Sequence, residues 1–303
     1  MQKRYSFCMV FDSCEFVFFI DLLQEGERGL FQMKGYQLCL LTALGIGAYS
    51  AVAFLYARSP LYFSDIIILL SSQDTSFLPN TLLDLVIQLF PVLLFQLLFG
   101  TFLYKEFCSV GVYIFSRCVN RSKWFIQKVS VLLLYALLYQ LAMTACTTTI
   151  TAIFGDVRFD LTSFILFLYY WLIYALWLFL TTLLINVLAL KTDSGVAFGS
   201  IYGLQTCLIL ILFLWRDTLP LDDSLFAARN FKLLWLDPIS HLMISWHSSG
   251  IPALDARIHA FDLPFDLNLS VLYFLILSVF AVIISYHIMK HHDMIAGGER
   301  GYK

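Results

Sequence analysis

Six stretches of the chain run for about 20 residues or more with almost no charge, and that pattern leaves few folds open. They cover 36–56, 82–103, 129–154, 161–190, 196–215 and 267–289; five contain no Asp, Glu, Lys or Arg, and the second has only Asp84. A helix needs about 20 apolar residues to cross the hydrocarbon core. Lipid offers no partner to a backbone N–H or C=O, so only a complete helix or a closed barrel can span it. The sequence predicts an all-α, polytopic membrane protein with six transmembrane helices. Composition agrees: of 303 residues, 60% are hydrophobic and 13% charged, about half the charged share of a soluble domain.

Orientation follows from the basic residues. Thirteen of the 19 Lys and Arg fall in the N-terminal segment, the segments after the second and fourth stretches, and the tail. Cytoplasmic segments carry the excess of Lys and Arg, so both termini are expected inside, in a multi-pass protein of the plasma membrane. Three regions result: an N-terminal segment 1–35, a six-helix domain 36–289 and a cytoplasmic tail 290–303. Residues 16–20 are too few to span, and Asp12 and Glu15 break any signal-peptide run. Segment 1–35 therefore reads as an interfacial amphipathic helix, or as sequence preceding a true start at Met33.

Several chemistries lose their residues. The net charge of −2 supplies no basic surface for nucleic acid. The chain has no GxxxxGK[ST] phosphate loop, HExxH or GxSxG motif, and none of its seven Cys forms a CxxC pair. No ionisable cluster lies in mid-span, as an ion-driven carrier would need. His241 and His247 lack a third ligand at standard spacing, and the His287/His291 pair reads as a polar end to the last span, so no metal or cofactor is expected.

Two connecting segments stand out. The inner segment 105–128, KEFCSVGVYIFSRCVNRSKWFIQK, mixes basic and apolar residues. Helical spacing would put Tyr113, Arg117 and Arg121 on one face, with Trp124 and Lys128 as interface anchors. The outer segment 216–266 holds DPISHLMISWHSSG at 237–250. Pro238 suits a first helical turn. Ile239, Leu242, Met243 and Trp246 follow i, i+3, i+4, i+7 spacing and predict a short helix with one apolar stripe. With a helix-like stretch at 224–236, this predicts short re-entrant helices between spans five and six.

On these residues the chain resembles the membrane subunit of a type-2 ABC exporter, the bacterial six-span permease family. The resemblance runs from about Lys34 onward. It rests on Glu106, Gly111, Tyr113, Arg117, Arg121, Lys123, Trp124 and Lys128 in the inner loop, on the outer DPISHLMISWH stretch, and on Lys290, His291, His292 and Asp293 at the close of the last span. It implies a non-enzymatic transport subunit, with ATP hydrolysed on a separate ATP-binding chain and a second permease subunit completing a dimer. It also implies a coupling segment of Glu106, Tyr113, Arg117, Arg121 and Lys123, an outer gate of Ile239, Leu242, Met243 and Trp246, and a peptide, antimicrobial or lipophilic cargo. The alternatives are a non-catalytic membrane interaction or immunity subunit, and a membrane-embedded enzyme.

Overall fold

The computed structural model of the chain describes residues 35–54, 61–71, 78–108, 121–218, 234–258 and 265–291. Among them, six helices are long and apolar enough to cross a membrane, as a polytopic membrane protein requires. They are α1 (Gly35–Val52), α3 (Leu78–Phe99) continued by α4 (102–108), α5 (Arg121–Phe154), α6 (Leu161–Lys191), α7 (Ser194–Thr218) and α9 (Leu267–His291). Short elements join them: β1 (Leu61–Tyr62), α2 (Phe63–Leu70), β2 (Val157–Arg158), two 3-10 turns (Ser240–Leu242 and Ile244–Trp246), β3 (His247–Ser248), α8 (Pro252–Ile258) and β4 (Phe265–Asp266).

The six helices overlap the six apolar stretches, with ends that differ by up to four residues and with two larger differences. Helix α5 begins at Arg121, eight residues before the apolar run at 129, and its 34 residues extend about 51 Å at 1.5 Å each. That exceeds the roughly 30 Å hydrocarbon core, so its basic first turns project beyond the apolar part. The second stretch is not one helix: it breaks at Gly100 and Thr101 and resumes as α4.

Helix α6 is the core. It buries 18 of its 31 residues and packs against α2, α3, α5, α7 and α9. A helix apolar on every side belongs in such a position. Helix α9 has two different faces. Ser270, Phe274, Ser278, Ala281, Ser285 and Met289 point inward, while Leu272, Ile276, Val279, Phe280 and Ile283 are exposed, as a lipid-facing stripe would be. The inward face is mostly small, which lets two backbones approach where no hydrophobic effect draws them together. Helices α1 and α5 use the same device. Ala43, Gly47 and Ala51 recur every four residues, and Thr147 donates its hydroxyl to the Gly47 carbonyl at 2.9 Å.

The connections opposite the α5 start build a cap. Strands β1 and β2 pair in parallel, Leu61 with Val157 and Tyr62 with Arg158. Strands β3 and β4 do likewise, His247 with Phe265 and Ser248 with Asp266. Arg257 of α8 ties the two halves together. Its guanidinium pairs with Asp160 at 3.0 Å, donates to Ser64 and Ser163, and lies over the Tyr62 ring. Asp160 also accepts from Thr162 and Ser163. Those bonds and the Arg257 charge outweigh desolvation and hold its carboxyl below the usual range.

The short helix expected from the spacing of Ile239, Leu242, Met243 and Trp246 does not form as one α-helix. Two 3-10 turns stand there, separated at Met243 (φ −82°, ψ 87°). Asp237 Oδ1 accepts the Ile239 N–H at 2.9 Å and Ser240 donates to the Asp237 carbonyl at 2.7 Å, local bonds of the kind that offer the backbone an alternative to an α-helical ladder. Residues 1–34 of the N-terminal segment, residues 292–303 and all of 224–236 except its last three residues lie outside the described residues.

Candidate functional site

At the end of the bundle where α5 starts, Glu106 of α4 pairs with Lys128 of α5 at 2.7 Å. Lys128 also stands over the Phe102 ring. Ser122 shares a 2.6 Å hydrogen bond with the Tyr286 hydroxyl of α9, and Phe125 packs on the same ring. Arg121 and Lys123 lie in the first turn of α5, Lys123 exposed and Arg121 half-buried. Tyr113 and Arg117 lie outside the described residues, as does the face they were expected to share with Arg121. Trp124, expected at the lipid surface, is instead buried against Phe107. It lines a small apolar cleft with Leu103, Asn186, Ser285 and Met289.

Above that cleft sits the helix break, a feature that hydropathy does not reveal. Asn186 of α6 spans it. Its Nδ2 donates to the Phe99 carbonyl at 2.8 Å and to the Thr182 carbonyl at 2.9 Å. Its Oδ1 accepts the Leu103 N–H at 2.8 Å and the Tyr104 N–H at 3.3 Å. One buried amide thus satisfies the last carbonyl of α3 and two N–H groups of α4. Non-helical backbone at membrane depth is tolerated only where protein supplies such partners. A glycine at 100 is required by packing: a Cβ there would lie 2.4 Å from the Gln96 carbonyl oxygen. An Asn on one span and a Gly on another, 86 positions apart, carry no local signal of this pairing.

On the cap side, Ile239, Leu242, Met243 and Trp246 are all buried, so the structure brings them together in the protein interior rather than against lipid. Tyr174 of α6 donates to the Leu242 carbonyl at 3.0 Å. Beneath them lies a polar group that motif reasoning set aside. Ser270 Oγ of α9 sits 2.8 Å from His241 Nδ1 and 2.7 Å from His247 Nε2. All three residues are fully buried. His241 Nε2 contacts the Trp235 carbonyl and His247 Nδ1 the Met243 carbonyl, both at 2.8 Å. The His241 ring stacks on Tyr273, 4.2 Å between centroids. Burial lowers the pKa of both rings, His247 to about 4, against the opposing pull of the Met243 carbonyl. A serine beside an imidazole can act as a nucleophile; Ser270 exposes no surface here. Among the described residues no group of three or more His, Cys, Asp or Glu could hold a metal ion.

Comparison of the chain with protein-family models, with curated proteins and with solved structures returns no significant match.

Proposed function

We propose that the chain is the permease subunit of an ABC-type exporter, paired with a second permease subunit and driven by a separate ATP-binding chain. The cargo class is a peptide, an antimicrobial or another lipophilic molecule. The observation that carries the reading is how the basic start of α5 is fastened. Arg121 and Lys123 sit on a helix that continues unbroken along the bundle. Within two turns of them, Lys128 clamps α5 to α4 through Glu106, and Ser122 clamps it to α9 through Tyr286. A partner pushing on that end would move three spans as one body. A simple topogenic charge cluster needs no such bracing. The absent phosphate loop fits a chain whose energy comes from a partner.

The test is co-expression with an ATP-binding subunit encoded beside it. The chain alone should not bind ATP, and the complex should hydrolyse it. Arg121→Glu with Lys123→Glu should weaken the complex by about 1 kcal/mol, a several-fold loss of affinity, because the contacts are partly solvated. Membrane insertion should persist, since Lys105, Arg117 and Lys128 remain. Unchanged complex formation in the double variant would reduce this end of α5 to an anchor, and nucleotide binding by the chain alone would overturn the reading.

A further inference from the structure

Ser270 has one hydroxyl proton but two imidazole nitrogens within hydrogen-bonding distance, and the count of donors around it assigns a protonation state. The far nitrogen of each ring faces a backbone carbonyl: His241 Nε2 faces Trp235, and His247 Nδ1 faces Met243. A carbonyl only accepts, so each of those nitrogens carries a hydrogen. In a neutral imidazole the other nitrogen is then a bare lone pair. His241 is therefore the Nε2–H tautomer and His247 the Nδ1–H tautomer, and both bare nitrogens point at Ser270 Oγ. The hydroxyl can donate to one of them only. The other contact, at 2.7 or 2.8 Å, has the length of a hydrogen bond and no hydrogen to make it.

One added proton completes the set. It enters from water and adds to the lone pair of one ring, and no other bond to hydrogen is lost. If it adds to His247, that ring donates to Ser270 and Ser270 donates to His241; if it adds to His241, the relay runs the other way. We propose that His241, Ser270 and His247 form a binding site for a single proton, shared between two rings through the serine hydroxyl, where the cap meets α9. The assignment stands independently of the permease reading.

The surroundings set the capacity and the pH range. Asp266 of β4 draws the proton toward His247, while the two rings repel each other and oppose a second one. Asp237 interacts with Tyr273, the ring stacked on His241. From α6, Tyr174 is engaged with the Leu242 carbonyl. From α8, Asp255 is held by Ser249 and Arg257 by Asp160. Desolvation disfavours the charged form, so the site is empty in a neutral medium and loads as the medium acidifies. Loading turns an unmade contact into a hydrogen bond and places a positive charge under the 3-10 turns. The cap thereby gains a response to the pH on its own side of the membrane.

The test is ¹⁵N NMR of the histidine rings in the full-length chain, held in lipid nanodiscs. Six His are present, and His241→Gln and His247→Gln identify the two signals. Near pH 8 the expected result is one Nε2–H ring, lost in His241→Gln, and one Nδ1–H ring, lost in His247→Gln. Titration toward pH 4 should add one proton to the pair, with both rings shifting at a shared midpoint. Ser270→Thr, which keeps a hydroxyl, should preserve that midpoint; Ser270→Ala should split it into two unlinked ones. Identical tautomers at pH 8, uptake of two protons, or no change in either ring by pH 4 would each overturn the proposal. So would a shared midpoint that survives in Ser270→Ala. Should Ser270→Ala not fold, the tautomers and proton count of the unaltered chain still decide.

Discussion

Asn186 makes four hydrogen bonds, three of them to backbone groups of the interrupted α3–α4 pair. Replacing it with Leu would keep the branching at Cγ and leave those groups without their partner. An unsatisfied buried polar group costs about 1–3 kcal/mol, although hydrogen bonds between spans often contribute less, about 0.6 kcal/mol each. Asn186→Leu should lower unfolding free energy by about 2–4 kcal/mol, read by denaturant unfolding in detergent micelles. A loss under about 0.5 kcal/mol would mean that the break satisfies itself. Asp237 makes a pH-dependent case. Burial raises its carboxyl to about 6, against the Ile239 N–H that lowers it; the unfolded value is about 3.9. The folded chain therefore binds this proton more tightly. Its contribution to stability is fully present below about pH 4 and is lost as pH rises through about 6. Asp237→Asn keeps an acceptor for Ile239 and should stabilise the protein at pH 7.5 by about 1 kcal/mol after screening, an advantage that shrinks toward zero by pH 4. A pH-independent difference would contradict the shift. His247 acts with the opposite sign. Its pKa falls to about 4, so its contribution is present above about 6.5 and fades as pH drops toward 4.

Helix α1 meets α5 at Gly47, where a Cβ would lie 2.5 Å from the Met143 carbonyl oxygen and 2.8 Å from the Cys146 Cβ. Gly47→Leu should force the helices apart and cost about 1–3 kcal/mol, as overpacking does. The same change at Gly45, which has open space around its Cβ position, should cost under about 0.5 kcal/mol. Thermal unfolding of the two variants side by side checks this; equal losses would deny the close approach. The Ala43-Gly47-Ala51 spacing is a signal that the sequence does carry, though which helix it meets is not. The six long apolar helices were legible because their length and near-absence of charge are the pattern that lipid imposes on a crossing helix. The buried set Ile239, Leu242, Met243 and Trp246 was legible too, but through a different geometry. Residues three apart eclipse in a 3-10 turn, so 239 with 242 and 243 with 246 share a side without an α-helix. The break at Gly100 was not legible, because hydropathy continues across it and its partner lies on another span. His241 and His247 meet at Ser270, 29 and 23 positions away, and no local pattern announces that meeting.

Across the whole molecule, α6 carries contacts to both ends. Through Asn186 it holds the α3–α4 break near the cleft lined by Trp124, and through Tyr174 and the Asp160 that precedes it, it holds the cap. The functional account requires those two ends to face opposite sides of a membrane, with the basic start of α5 inside and the cap outside. Single cysteines on a cysteine-free background test this most directly. Lys123→Cys marks the α5 end and Ala256→Cys marks α8, both at exposed positions. Treated with a membrane-impermeant thiol reagent, intact cells should label Ala256→Cys at once and Lys123→Cys only after permeabilisation. Labelling of both from outside, or of Lys123→Cys alone, would contradict the account.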